Sequence, residues 1–244
     1  MGSSIHNDPA QKVNQYISQA RESAGQGDEP KARGLLAVIK NIPYAENFSL
    51  SAEVKAEMEE IRKLASLNAF EVDLTQAQAF AAKGEVGMME GRLAEARENA
   101  RRAGITLSEE DEDRFSRITK AGHMVGMRVR FEDAVQNAKE GHIAGAEGCF
   151  RSVRMYAQKA DVVLTAEVEK EMDSTMKLAR RIAISNVLTE AQQLVSRGDY
   201  SKGGQYLSLA GWHAQQGGIV LDEQQEAKHQ AILIELIRVG LRRS

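Results

Sequence analysis

The hydrophobic and polar positions of this chain fall into one register that returns every 57 residues. Leu50, Leu107, Leu164 and Leu221 keep that spacing, and each is followed by a helix-capping residue type: Ser51, Ser108, Thr165 and Asp222. Gly27, Gly84, Gly141 and Gly198 form a second column, and Ala20, Ala77, Ala134 and Ala191 a third. Two bulky columns complete the register without a gap: Ile17, Leu74, Phe131, Leu188 and Leu36, Leu93, Phe150, Leu207. Columns held in one phase mark an internal repeat, in which neighbouring units must stack to bury apolar faces that no unit can bury alone.

The columns also place the elements. A leucine, a capping oxygen and then acidic residues (Glu53, Glu109 to Asp113, Glu167, Glu223) mark a helix start. The capping oxygen satisfies free N–H groups, and the carboxylates complement the positive end of the helix dipole. Long helices are therefore expected near 51–83, 108–140 and 165–197, each roughly 50 Å in length, and the glycine column should end them. Shorter helices are expected near 86–103, 143–160 and 200–216. The first repeat is abbreviated, with helices near 9–24 and 29–41. Asn41-Ile42-Pro43 is expected to end the second of these, because proline lacks a donor and clashes with the preceding turn. A last helix is expected near 222–242. The organisation that follows is an abbreviated first repeat (1–50), three full repeats (51–107, 108–164, 165–221) and a terminal capping helix (222–244).

The long helices carry their apolar residues on two different sides. Val54, Met58, Ile61 and Ala65 share one direction at 100° per residue, while Phe70, Leu74, Ala77 and Ala81 share the opposite one. The next long helix repeats this with Phe115, Ile118 and Gly122 against Met127, Phe131, Ala134 and Ala138. In the third, Thr175 interrupts the stripe of Val168, Met172 and Ala179. Such a helix is expected to pack one half in each of two adjacent cores, with the short helices returning antiparallel. The fold class is thus all-α: a helical repeat whose long helices are shared between layers, forming a rod or solenoid. Short antiparallel helices with a Gly198-Asp199-Tyr200 turn and alanine at packing positions resemble tetratricopeptide-type repeats, and the shared long helix resembles the spectrin repeat. The resemblance covers architecture and no functional motif. It implies a role in protein–protein interaction or spacing.

Composition narrows the function classes. Aromatic residues at 5% and only 3 prolines suit alanine-rich helices. The net charge of −3 is spread evenly over the repeats. Arg101-Arg102, Arg128, Arg130, Arg180-Arg181 and Arg242-Arg243 occupy different columns, so no repeated basic stripe for nucleic acid is evident. No apolar run is long enough to span a bilayer, and the polar start of the chain lacks a signal-peptide core, so a cytoplasmic protein is expected. The single cysteine, Cys149, excludes an intrachain disulfide and a multi-cysteine metal site.

No catalytic, cofactor or metal constellation emerges, and a non-enzyme is expected. The carboxylates of residues 109–113 read as a helix start, and the five histidines show no paired ligand spacing. His229 stands in the column of Met58, Phe115 and Met172, as a substitution at the core edge. Cys149 reads as an inert thiol.

Two departures from the repeat are the candidate partner surface. Trp212-His213 replaces Asn41-Ile42, Glu98-Asn99 and Met155-Tyr156, off the main apolar stripe. In the last helix, Ile234 replaces Lys63, Lys120 and Lys177, and Ile237 replaces Ser66, His123 and Arg180. Trp212, His213, Met155, Tyr156, Ile234 and Ile237 are therefore the expected contacts. The leading expectation is an adaptor or scaffold for protein partners. The alternative is a structural protein that self-assembles through its terminal repeats, with the C-terminal helix as a homo-oligomer contact.

Overall fold

The computed structural model describes residues 8–46 and 48–243; the polar segment 1–7, with His6, lies outside the described residues, as do the side chains of 44–46 and 241–243. Among the described residues the chain is all-α, with nine helices and no strand. They are α1 (Pro9–Gly25), α2 (Glu29–Glu46), α3 (Ala52–Lys83), α4 (Val86–Ala103), α5 (Glu109–Lys139), α6 (Ile143–Lys159), α7 (Ala166–Ser196), α8 (Tyr200–Gly217) and α9 (Glu223–Arg243). Helices of 31–32 residues alternate with helices of 17–18 from α3 to α8. None of the nine is long and apolar enough to cross a membrane.

Capping chemistry sets these boundaries. Ser51 Oγ accepts from Val54 N at 3.3 Å, and Thr165 Oγ1 accepts from Val168 N at 3.4 Å. The other two members of the column form reciprocal capping boxes. Ser108 Oγ accepts from Asp111 N while Asp111 Oδ2 accepts from Ser108 N. Asp222 Oδ1 accepts from Gln225 N while Gln225 Oε1 accepts from Asp222 N. At the other end, Gly27, Gly84, Gly141 and Gly198 all take φ between +74° and +85° or, for Gly84, +72°. Only glycine adopts that conformation without strain, which is why one residue type fills the column.

One boundary differs from expectation. α2 continues through Pro43 to Glu46 instead of stopping at Asn41. Ile39 and Ile42 are buried in the core beside Met58 and Ile61, so tertiary packing holds the turn that proline weakens. Near a helix end the missing proline donor removes a single ladder bond, and Phe48 N donates to Pro43 O at 3.4 Å as the chain leaves.

The chain divides into two compact units, Met1–His123 and Met124–Ser244. In the first, the N-terminal half of α3 (Met58, Ile61, Ala65) is buried with Val13, Ile17, Ala20, Leu36 and Ile39 of α1 and α2. Its C-terminal half packs on α4 and the start of α5, where the Phe70 and Phe115 rings lie 6.3 Å apart. In the second unit α7 is divided in the same way. Met172 is buried with Ala134, Phe150 and Val153, while Ile184, Leu188, Ala191 and Val195 are buried with Leu207, Ala210 and Ile232. Thr175, which interrupts the stripe in the sequence, is itself buried. The boundary between the units falls within α5, where its apolar stripe changes side in the sequence.

Close approach depends on small residues. Ala20, Ala77, Ala134 and Ala191 are all fully buried. At Gly122 an added Cβ would run into the sulfur of Met89, itself fully buried, and would sit 3.2 Å from Ala81 Cβ. We expect Gly122→Ala to lower unfolding free energy by about 1–2 kcal/mol in urea, because overpacking outweighs the gain in helix propensity; an unchanged midpoint would show that Met89 repacks freely.

Candidate interaction surfaces

The candidate partner residues all belong to the second unit, with Trp212, Met155, Ile234 and Ile237 exposed and His213 and Tyr156 half-buried. Trp212 lies on α8 with 52% of its surface exposed, and its ring meets that of His213 edge-on at 4.9 Å. The repeat explains why the pair divides. The column of Trp212 faces outward, with Asn41 and Met155 exposed, whereas that of His213 faces inward, with Ile42 and Asn99 buried and Tyr156 half-buried. His213 is half-buried accordingly, and burial, helped by the nearby Arg180 guanidinium, pushes its pKa down. Arg180 in turn donates to Gln216 O at 2.9 Å, closing the last turn of α8.

α9 presents two faces. Ile232 is buried against Ile184, Leu188 and Leu207, with Leu233 and Leu236 packed beside it. Ile234 and Ile237 point the other way and are 55% and 53% exposed. The helix therefore completes a core and also leaves an apolar strip in solvent. Among the other exposed apolar residues, the two most exposed escaped the sequence reading: Val163 (90%) and Val220 (87%), each immediately before a leucine of the 57-residue column. Their pattern was legible as a repeat position, but loop residues carry no periodicity from which exposure follows.

The acidic run at the start of α5 is engaged locally. Asp111 is held below the usual carboxylate range by Ser108, and Glu112 by the Arg97 guanidinium, which it meets at 2.7 and 2.8 Å. The same contact recurs one repeat later between Arg154 and Glu169. Arg97 also lies 4.3 Å above the Phe115 ring. His229 is half-buried. Cys149 is half-buried too, and desolvation, with the Asp133 carboxylate, raises its thiol pKa, the opposite of activation.

In the first unit a charged groove runs between α2, α3 and α4. Glu29 is buried at the first turn of α2 and pairs with Arg33 at 3.2 Å and Arg102 at 3.6 Å. On one side lies a cleft of about 660 Å³ that includes Asp73, Arg92, Glu95 and Asn99. Asp73 is buried there, accepting from Asn99 Nδ2 at 2.9 Å and Arg92 Nη1 at 3.3 Å, and desolvation raises its pKa. On the other side the lining is cationic, with Arg101 and Arg102 beside Arg33, Lys40 and Arg62. Glu98 binds both terminal arginines of α4: Arg101 through Nε and Nη2, each at 2.7 Å, and Arg102 through Nε at 3.0 Å. Sequence spacing revealed neither cleft, because the residues come from three helices and share no column.

With this geometry in view, no protein-family model matches the chain, and neither a curated protein nor a solved structure matches it.

Trp212→Ala is expected to change the melting temperature by less than about 2 °C, whereas Leu207→Ala, on the buried side of the same helix, should cost about 2–4 kcal/mol and several degrees. A comparable fall in both would assign Trp212 to packing. Glu98 is held down to about 2, chiefly by its hydrogen bonds from Arg101 and further by Arg102. Its folded pKa lies below the unfolded one, so its stabilising contribution is present above the ordinary carboxylate range and is lost as pH falls towards 2. A side-chain carboxyl NMR titration should show that low midpoint, and Arg101→Gln should move it back up.

Proposed function

We propose that this chain is a non-enzymatic helical-repeat adaptor or scaffold that binds other proteins on its repeat surface. Its long helices, each buried in its two halves by different neighbours, suit a rod or solenoid of stacked layers. Such an array presents much lateral surface for its size. The observation that carries the reading is the placement of large apolar side chains in solvent where the repeat breaks its own pattern. Trp212, Ile234 and Ile237 are each more than half exposed, at columns that hold polar or smaller residues in most other repeats. Partially exposed aromatic and aliphatic side chains on a rigid helical scaffold are the usual anchors of protein recognition. Met155 adds a flexible apolar contact of the same kind. A cytoplasmic location accords with the single thiol and the absence of any disulfide requirement.

The alternative, a structural protein that associates with its own copies, is favoured by one specific feature, the outer strip of Ile234 and Ile237 on α9. Both readings meet in one experiment. The variant carrying Ile234→Glu and Ile237→Glu should fold normally, because neither side chain is buried. If the chain is an adaptor, wild type and variant have the same monomer mass across a concentration series, and the variant loses partner capture in its native cell. If it self-assembles, wild-type mass grows with concentration and the variant stays monomeric.

A further inference from the structure

We propose that the cationic cleft between α2, α3 and α4 is a binding site for a small phosphate-bearing molecule. The cleft encloses about 440 Å³, within the range of small-ligand pockets. Five cationic side chains line it: Arg33, Lys40, Arg62, Arg101 and Arg102. The one carboxylate in the lining, Glu29, is already balanced by Arg33 and Arg102. Two further carboxylates at the rim, Glu59 and Glu98, hold Arg62 and the two α4 arginines without exhausting them. A guanidinium carries five donors, and Arg62 uses one on Glu59 and Arg101 two on Glu98. Lys40 makes no ion pair or hydrogen bond within the described residues.

A second, independent observation concerns one residue of the lining. Ser66 is completely buried, lines the cleft, and its Oγ has no hydrogen-bond partner. A buried hydroxyl left unsatisfied is destabilising, and a phosphate oxygen beside it would remove that penalty. The repeat itself supplies a control for what the scaffold requires. Arg62 is replaced by Thr119, Met176 and Leu233 at the same column, Arg101 by Gln158 and Gln215, and Glu29 by Val86, Ile143 and Tyr200. The helices pack without these three charges elsewhere, so Arg62, Arg101 and Glu29 are not a demand of packing, whereas the column of Lys40 keeps a cation at Arg97 and Arg154 and that of Arg102 at Lys159. Arginine forks and a lysine point charge around a hydroxyl are the chemistry that holds a phosphate dianion or diphosphate.

The test is calorimetric titration of the full chain with inorganic pyrophosphate at fixed ionic strength. One-to-one binding at about 1 mM or tighter is expected. The variant carrying Lys40→Gln and Arg62→Gln should weaken it by about tenfold or more, since charge-assisted hydrogen bonds are removed. Ser66→Ala separates function from structure: it should raise the melting temperature or leave it unchanged, while weakening pyrophosphate binding several-fold. Arg154→Gln, in the second unit, should leave binding unaltered. Absence of saturable binding, or binding indifferent to Ser66 and to the Lys40/Arg62 pair, overturns the site. Tighter capture of a short oligonucleotide through the same residues would overturn the small-molecule assignment in favour of a nucleic-acid contact.

Discussion

An α-helix whose apolar stripe changes side halfway along cannot be buried by a single neighbour, and the rest of this structure answers that constraint. α3 meets it by placing Met58, Ile61 and Ala65 among α1 and α2, and Phe70 with its following turns against α4 and α5. α7 meets it with Met172 in one cluster and Ile184, Leu188 and Val195 in another. Each buried aliphatic side chain contributes about 1.5–3 kcal/mol relative to exposure. Leaving either half uncovered would therefore cost several kcal/mol, on the scale of a domain's whole net stability. The return helices exist to supply the missing cover, and the small residues of the alanine column let them approach.

The same constraint separates structural from functional positions. Once a column must be apolar and small, or must take a left-handed conformation, its residues say little about partners. Information about function collects where the column rule is broken without a packing reason. Trp212 and the outer strip of α9 break it on the surface of the second unit. Arg62 and Arg101 break it at the cleft of the first. The two places differ in chemistry: one exposes apolar side chains, the other gathers positive charge.

Some of this was legible because it rests on local rules. Capping oxygens, glycines in positive φ and a period near 3.6 act over a few residues, and the helix boundaries follow them to within a residue or two outside α2. The exception is instructive. Pro43 obeys its local rule only weakly, because buried Ile39 and Ile42 hold the turn around it. The outward placement of Trp212 could also be derived, from its rotation off the buried stripe, but the inward half of the pair, His213, needed the burial of Ile42 and Asn99 to reveal it.

By itself, then, the 57-residue register determined the type of the helices and their ends apart from that of α2, the two-sided apolar patterning of the long ones, and the positions at which the repeat departs from itself. Those properties are encoded by neighbours in sequence. Only the tertiary structure decided that Arg33, Lys40, Arg62, Arg101 and Arg102 line one cleft with the buried Ser66, and that Ile234 and Ile237 are exposed while Ile232 completes the core. Convergence of side chains from three helices depends on how those helices are rotated and packed. That is set by the summed contacts of the core, and no local spacing records it.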